Sequence, residues 1–552
     1  MLSMQSTDLL DQILAIRGIS DDFRQSFLSP SYESHLHDPF LMSDMDKAVD
    51  RIIQAMKANE PIVVYSDYDA DGIPGGVILH DFFVKAGYVN FRNYIPHRHD
   101  EGYGLHMEAV EQFVADGTKL IITVDLGITA VEEVAFAQKN GVDVIVTDHH
   151  LPQANIPKAF AILNPKKSGD QYPFKELCGA GVAFKLVQGL IAKIPELQNT
   201  GWEKWLLDMA GLATLSDMVP LTGENRVLAF YGMKVLQRTK RPGLRQLFKK
   251  MKIDPEHLTE DDITFMLTPR LNAASRMDSP QHAFDVLAET DPAKAAAIAD
   301  HLIKINDLRK TTVATIMKDV HKKLEKRELH DVIVIGHPEW RVGVLGLVAS
   351  KITETYGKPS FVWGSEGAED KTLIKGSCRS EGSVNVVDLM TEATDAFHSF
   401  GGHELAGGFV VTHEKVHFLE EALSKAFTRA KREKKEQESK KHDLSITLAE
   451  VTSKNYNLIA QLAPFGMANE KPVFLFPGIL IAGMKLFGKE KEHLELMIAS
   501  EGKMMKAISF FKQPTDFSVH IDAGKNVNLY ATMEMSYFMG RPELRLRIVD
   551  IL

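Results

Sequence analysis

The sequence predicts an α/β protein of several domains: a parallel sheet with crossover helices, a helical connector, a second α/β unit and a C-terminal antiparallel β-barrel. Three observations predict it. Between about Pro61 and Pro165, short apolar runs alternate with helical segments, the pattern of parallel strands joined by helices. From Asn225 to about Leu329 helical spacing dominates and nothing reads as a strand. From Leu444 onward the chain is mostly strand-like, as a small barrel requires. At 552 residues, roughly three or four domains are expected. The boundaries read as 1–224 for an N-terminal segment and the first sheet, 225–329 for the connector, 330–441 for the second unit and 442–552 for the barrel.

Strand candidates of the first sheet are Ile62–Ser66, Phe91–Ile95, Leu120–Val124, Val142–Thr147 and Ala161–Leu163. Gly72 with Pro74 reads as a turn entering a helix that runs to about Ala86. Further helices are expected at Met107–Ala115, Ala130–Asn140, Gly179–Ile194 and Trp202–Leu215, with a long one from Pro292 to Lys326 in the connector. The second unit reads as strand Val332–Gly336, helix Val344–Tyr356, strands Phe361–Trp363 and Thr372–Lys375, helix Val386–His398, glycine-rich Gly401–Gly408 and strand Phe409–Val411. A charged helix from Glu414 to about Lys441 closes it. The end of this helix, 431–441, mixes both signs and suits a solvated face as well as a nucleic-acid contact. Barrel strands are expected at Ile446–Ala449, Val473–Phe476, Ile479–Lys485, His493–Ile498, Met504–Phe511, Val527–Glu534 and Glu543–Val549, with one helix. An oligonucleotide-binding fold is one member of that class.

Composition narrows the function classes. With 64 basic and 74 acidic residues the formal net charge is -10, so any nucleic-acid binding must use local basic patches. The two cysteines, Cys178 and Cys378, are far apart and form no CxxC pair, which argues against a disulfide framework or a structural zinc site and suits a reducing cytosol. Residues Met1 to Arg17 lack a basic segment followed by a long apolar run, and no apolar stretch reaches bilayer-spanning length. A cytoplasmic protein without membrane association is expected.

Chemistry concentrates at strand ends. Ser66-Asp67-Tyr68-Asp69-Ala70-Asp71-Gly72 follows the first strand, and three acids alternating over five residues repel one another unless a cation lies among them. A solvated acidic turn is the plain alternative. The strand Leu120–Val124, however, ends in Asp125, and Val142–Thr147 ends in Asp148-His149-His150. Carboxyl ends of parallel strands share one edge, so these groups converge. Asp217 follows an apolar helix and adds a further carboxylate. Carboxylates with one or two imidazoles suit Mg2+ or Mn2+, and a set this acidic can hold two ions roughly 3.5 to 4 Å apart. Such a pair clamps the attacking and leaving oxygens of a phosphoryl centre, which implies phosphodiester hydrolysis. Adjacent histidines rarely point the same way, so His149 is expected to be a metal ligand and His150 to face the scissile phosphate.

Together, Asp67-Tyr68-Asp69-Ala70-Asp71-Gly72, Val124-Asp125, Asp148-His149-His150 and Leu215-Ser216-Asp217 resemble, in order and spacing, the four metal-binding motifs of the DHH phosphoesterases. Gly401-Gly402-His403 with Ala406-Gly407-Gly408 resembles the glycine-rich motif of their associated second domain, the DHHA1 type. Length, connector and barrel narrow the resemblance to the single-strand-specific exonucleases of that superfamily. Pro96-His97-Arg98 with Glu101-Gly102-Tyr103-Gly104, Thr268–Ala274, and Pro464-Phe465-Gly466 with Asn469 point the same way. The resemblance covers about residues 45 to 552. It implies that Asp69, Asp71, Asp125, His149 and Asp217 bind two divalent cations, Mn2+ or Mg2+, with Asp67 and Asp148 as further metal ligands and His150 beside them. It also implies that Arg98, Ser377 and Arg379 hold the 5′ phosphate end of a strand. Arg270 and Arg276 are further backbone-contact candidates or helix-capping and interdomain ion-pair residues. His403 is a substrate contact or a buried histidine, and Trp340 a stacking face or core residue. Ile73-Pro74-Gly75-Gly76, Ser275 and Arg341 depart from the usual wording of the family.

The implied activity is 5′-to-3′ exonucleolytic release of 5′ mononucleotides from single-stranded DNA threaded between the two α/β units, in DNA repair and recombination. A monomer is expected, with a helicase and a single-strand-binding protein as candidate partners. Two rivals exist: a phosphodiesterase for short oligoribonucleotides or cyclic dinucleotides, and a non-catalytic single-strand-binding relative. The residues from Leu444 onward argue against the first, and the full set of acids against the second.

Overall fold

The computed structural model describes residues 8–98, 101–366, 372–430, 442–488, 490–537 and 541–552. They form two compact units, one from the described residues of 38–217 and 235–436, the other from those of 1–37, 218–234 and 437–552. The charged segment 431–441 lies outside the described residues, and the helix leading to it is described over Leu419–Ala430.

The first sheet comprises β1 (Ile62–Ser66), β2 (Phe91–Tyr94), β3 (Leu120–Val124), β4 (Asp143–Thr147) and β5 (Ala161–Leu163) in the order β2-β1-β3-β4-β5, all parallel. Every residue of β1 and β3 is buried, which is why both read as continuous apolar runs without alternation. From β1 the chain moves outward to β2, returns to β3 on the other side, and continues away through β4 and β5. The reversal lies between β1 and β3, and open α/β sheets of this order bind ligands at the carboxyl ends flanking such a reversal.

The connector is helical as expected. Its longest helix, Pro292–Leu324, starts at Asp291, whose carboxylate accepts from the Ala293 and Lys294 N–H groups at 2.8 and 2.9 Å. A π-helical stretch, Asp262–Leu267, runs directly into helix Thr268–Met277. Pro269 has no N–H for the usual intrahelical bond, and the widened turn before it accommodates that loss. Arg241 anchors the connector: Nε stands 2.6 Å from Asp208 and Nη2 2.7 Å from Asp81, with the arginine side chain 15% exposed. Arg241→Met strands two carboxylates in this poorly hydrated setting and is expected to cost about 3–5 kcal/mol in denaturant titration.

The second sheet contains β6 (Ile333–Gly336), β7 (Ser360–Gly364), β8 (Leu373–Arg379), β9 (Ser399–Gly402) and β10 (Ala406–Thr412) in the order β6-β7-β8-β10-β9. Only β6 and β7 pair in parallel. The glycine-rich segment forms the β9–β10 hairpin. Helix Val386–Glu392 ends earlier than periodicity indicates and gives way to a 3-10 turn at Thr394–Ala396. Trp340 is 5% exposed within the apolar cluster of Val344, Leu345 and Val362, so it is a core residue and not a stacking face.

In the other unit β11 (Leu444–Ser445) lies beside a barrel of β12 (Phe474–Phe487), β13 (His493–Ser500), β14 (Lys503–Ser509), β15 (Asn526–Ser536) and β16 (Glu543–Ile551). Pairing β12–β15 closes the five-stranded barrel. The barrel is not wholly antiparallel, since β14 and β16 pair in parallel. Two expected strands merge into β12, with a register shift between Phe476 and Ile479, and Gly478 takes a left-handed φ of 62° there. The strand expected over Ile446–Ala449 is replaced by a 3-10 turn, because Thr447 and Glu450 form a reciprocal cap. Leu494, Leu496 and Ile498 alternate into the barrel core. That core also takes Leu9, Leu10, Ile13 and Leu14 of helix Leu9–Ile16. Residues 8–37 therefore group with the barrel and not with the sheet that follows them. Buried Asn469 donates to the carbonyls of Leu462 and Pro464 at 2.9 and 2.8 Å and accepts from Arg17 at 2.6 Å, fixing the Pro464-Phe465-Gly466 turn. Among the described residues no helix is long and apolar enough to cross a membrane.

Candidate metal centre

The acids converge at the reversal between β1 and β3. A hydrogen bond from Asp67 N–H to the Val124 carbonyl, 3.1 Å, joins the two strand ends. Asp69 folds its carboxylate back onto the N–H groups of Asp71 and Gly72 at 2.8 and 3.1 Å, shaping the turn into helix Gly72–Lys85. Asp71 accepts from the N–H groups of Gly179 and Ala180 at 2.6 and 2.8 Å, so its carboxylate sits on the N-terminus of helix Gly179–Lys193. Asp125 adopts a left-handed φ of 63°, a conformation that aspartate tolerates better than most residues and that recurs at functional sites. His149 Nε2 lies 3.1 Å from Asp125, 3.7 Å from Asp71 and 3.8 Å from Asp217.

Three donor sets emerge, each with its ligand atoms within 4.8 Å of one another: Asp71, His149 and Asp217; Asp67, Asp69 and Asp125; and Asp125, His149 and His150. Asp148, expected as a further metal ligand, is in none of them. One of its oxygens accepts from Ile128 N–H, and the other from the N–H groups of His149 and His150 and from His150 Nδ1 at 2.8 Å. That carboxylate is consumed in orienting the two histidines.

Charge makes the case for a cation. Burial first, and then mutual repulsion, pushes Asp71 up to about 6 and Asp217 up to about 8. The same causes hold Asp67 and Asp125 well above the usual carboxylate range. Burial, reinforced by His150, depresses His149 to about 3, which keeps the imidazole neutral and free to ligate. His150 behaves oppositely: burial disfavours its charge, but the Asp148 hydrogen bond and surrounding carboxylates outweigh this and raise it to about 9. Burial also acts to raise Asp148, yet its bonds to His150 and the backbone leave it below its ordinary range. Buried Asp67 Oδ1 and Asp125 Oδ1 have no hydrogen-bond partner. Orphaned carboxylate oxygens at this density fit divalent cations and little else.

A pH dependence follows. Between about pH 6.5 and 8 the unfolded chain has released the protons of its carboxylates and most imidazoles. The metal-free folded state still holds protons on Asp217 and His150. His149 is neutral when folded, and the unfolded-state proton it retains near pH 6.5 offsets only part of this difference. The folded state thus binds more protons, so stability falls as pH rises through this window. Denaturant titrations in chelator are expected to show a lower midpoint at pH 8 than at pH 6.5, and saturating divalent cation to remove the difference.

The cationic candidates gather beside the acids. Arg98 lies over the Tyr68 ring, 4.8 Å from its centroid. Burial, and then the charges of Arg98, Arg309 and Arg379, depress Arg276 to about 9. Burial also lowers Arg379, and Arg98 adds to it. Guanidinium groups gathered this closely form a local basic patch that suits an anion. Ser377 and Arg379 share one face of β8, both against Gly346 in the first turn of helix Leu345–Tyr356: a Cβ there would lie 3.0 Å from the Arg379 guanidinium and 3.7 Å from Ser377 Oγ. Arg270 points elsewhere, donating to the Met266 carbonyl at 2.5 Å with Arg309 and Lys310 as charged neighbours. His403 is exposed at the β9–β10 turn, its N–H bonded to the Ala406 carbonyl, so it is not the buried histidine considered.

Two contributors were not among the candidate site residues expected from the sequence. Gly179 is one: a Cβ there would lie 2.5 Å from Asp125 Cβ and 2.6 Å from its Oδ1. Gly179→Ala is therefore expected to displace Asp125 and raise the cation concentration needed for half-maximal activity by about tenfold. Tyr103 is the other, its hydroxyl 3.3 Å from His150 Nδ1 and 3.4 Å from the Asp125 carbonyl oxygen. The departures also find reasons. Gly75 packs where a Cβ would meet Val124 Cγ1 at 2.5 Å, Ser275 is buried with Oγ donating to the Asn272 carbonyl, and Arg341 donates to the Met277 carbonyl.

A parallel sheet with acids and histidines at the β1, β3 and β4 ends, followed by a second mixed-sheet unit, defines the DHH class. The family described as the DHH family, N-terminal domain, matches residues 61–214, the DHHA1 domain matches 329–431 and the RecJ OB domain matches 442–550. The single-stranded-DNA-specific exonuclease RecJ of Bacillus subtilis is 34% identical over 99% of this chain and 68% of its own length. Its namesake from Escherichia coli is 31% identical over 92% of this chain and 90% of its own. The crystal structure of RecJ in complex with Mn2+ from Thermus thermophilus superposes with a TM-score of 0.79 at 25% identity, over 98% of this chain and 75% of that one. The chain belongs to the RecJ family of single-stranded-DNA-specific exonucleases.

Proposed function

We propose that the chain is a metal-dependent exonuclease that removes 5′ mononucleotides from the 5′ end of single-stranded DNA. The observation that carries this reading is the adjacency of a buried acid cluster that fits cations and a basic patch in which Arg98 lies over Tyr68 of the acidic turn and Arg379 and Ser377 line helix Leu345–Tyr356. Asp71, His149 and Asp217 would hold one divalent ion, and Asp67, Asp69 and Asp125 a second. When bound, two Mn2+ or Mg2+ ions would stabilise charge developing at phosphorus and lower the pKa of the attacking water.

The remaining groups have their own tasks. Arg98, Arg276 and Arg379, with Ser377, would take the terminal 5′ phosphate through charge-assisted hydrogen bonds, which sets polarity by fixing which end enters. His150, kept protonated by Asp148, would donate to a nonbridging oxygen of the scissile phosphate, and Tyr103 would steady that imidazole. The OB-type barrel suits a sequence-tolerant grip on the strand, with affinity that falls as salt rises. It is also the feature that favours long strands over dinucleotides. The buried, unpaired thiols of Cys178 and Cys378 support a reducing cytoplasmic setting. A monomer acting in repair and recombination beside a helicase and a single-strand-binding protein fits a substrate that must first be unwound.

The test is a strand labelled at one end. With 5′-labelled and 3′-labelled single strands of DNA and RNA and either Mn2+ or Mg2+, we expect immediate release of the 5′ label as a mononucleotide from DNA. Exclusive loss of the 3′ label, or activity confined to dinucleotides, would sink the reading.

A further inference from the structure

We propose that Asp278, His282 and His301 form a second metal site, outside the catalytic centre, that binds Zn2+ or a similar imidazole-preferring ion and pins three parts of the helical connector. The three ligand atoms lie within 4.8 Å of one another, and none belongs to the donor sets at the strand ends. They come from three places: Asp278 closes helix Thr268–Met277, His282 lies in the first turn of helix Gln281–Ala288, and His301 projects from helix Pro292–Leu324.

The spacing suits coordination. His301 Nε2 is 2.7 Å and His282 Nε2 3.5 Å from the same oxygen, Asp278 Oδ2. Two ligands about 2.0–2.1 Å from a tetrahedral ion stand about 3.3 Å apart, so small side-chain rotations would bring all three donors to bonding distance. The imidazole rings already lie close together, edge to face, with centroids 4.6 Å apart at 76°. Two imidazoles and one carboxylate select Zn2+ over Mg2+, which prefers oxygen donors. With side chains 43%, 35% and 43% exposed, the site leaves open coordination positions to water.

Its position gives it a consequence. Asp278 lies two residues beyond Arg276, and the Met277 carbonyl between them accepts from Arg341 at 2.5 Å. An ion here would fix the end of the helix that presents Arg276.

The experiment is a count of bound metal. Full-length protein stripped with chelator, loaded with Zn2+ and desalted is analysed by mass spectrometry of the metal. The H282A/H301A variant is expected to carry one Zn2+ fewer than the unmodified protein, and H301Q alone to show the same loss. D69A/D125A is expected to lose catalytic-site metal yet keep the connector ion. Mn2+-supported turnover of H282A/H301A stays unchanged. An equal Zn2+ count in the unmodified protein and in folded H301Q overturns the proposal and leaves Asp278–His301 as an ordinary ion pair.

Discussion

Asp125→Asn is expected to lower turnover of single-stranded DNA by about 10³-fold or more, with strand binding nearly unchanged. Asp125 is the residue through which the donor sets communicate: it belongs to two of them and stands 3.1 Å from His149, the ligand of the third. Replacing one of its oxygens with an amide removes charge where a cation needs it most. The same change has an opposite effect on the metal-free protein. Burial, and repulsion from Asp71, Asp69, Asp67 and Asp217, hold Asp125 far above its ordinary range, so a neutral side chain there relieves the folded state. Calorimetry in chelator should give D125N a higher melting temperature than the unmodified protein, and added Mn2+ should raise that of the unmodified protein more. A variant that lost activity and also unfolded more easily in chelator would point to a packing role.

Arg379→Ala carries the second large effect. The guanidinium is half-buried against the first turn of helix Leu345–Tyr356, donates to the Cys378 carbonyl at 2.7 Å, and is held below its ordinary range by burial and by Arg98, so a bound anion would favour its charge. A hydrogen bond to a charged group contributes about 1.5–3 kcal/mol, which corresponds to roughly 10- to 100-fold in affinity. We expect KM for a 5′-phosphorylated strand to rise by about that factor, with a smaller change for a strand ending in 5′-hydroxyl. Arg379→Lys should restore little, because an ammonium cannot reproduce the bidentate fork. Equal losses on both substrates would place Arg379 in general strand binding.

Much of this was legible because parallel topology makes strand ends meet. Three short acidic or imidazole-rich segments after β1, β3 and β4 had to share one edge once the runs Ile62–Ser66, Leu120–Val124 and Val142–Thr147 were read as strands of one sheet. The division of labour within those segments was not legible. Asp148 and Asp67 look alike in sequence, but one has both oxygens taken by Ile128, His149 and His150, while the other keeps an oxygen without a partner. Hydrogen bonding to backbone leaves no periodic trace. Gly179 was missed for a similar reason, since a close approach to a carboxylate 54 residues away is a tertiary fact. The barrel was visible as alternation, but the parallel β14–β16 pair and the Thr447–Glu450 cap were not, because pairing partners and local caps compete with strand propensity residue by residue. The arginine cluster was legible only through family resemblance, since Arg98, Arg276 and Arg379 belong to three separate segments.

The central claim is that the strand-end acids are a cation centre, and anomalous diffraction tests it most directly. Crystals of the protein grown or soaked with Mn2+ are expected to show two anomalous peaks, one within bonding distance of Asp71, His149 and Asp217 and one bounded by Asp67, Asp69 and Asp125, with none on Asp148. Crystals containing Mn2+ elsewhere but no peak among these residues would contradict it.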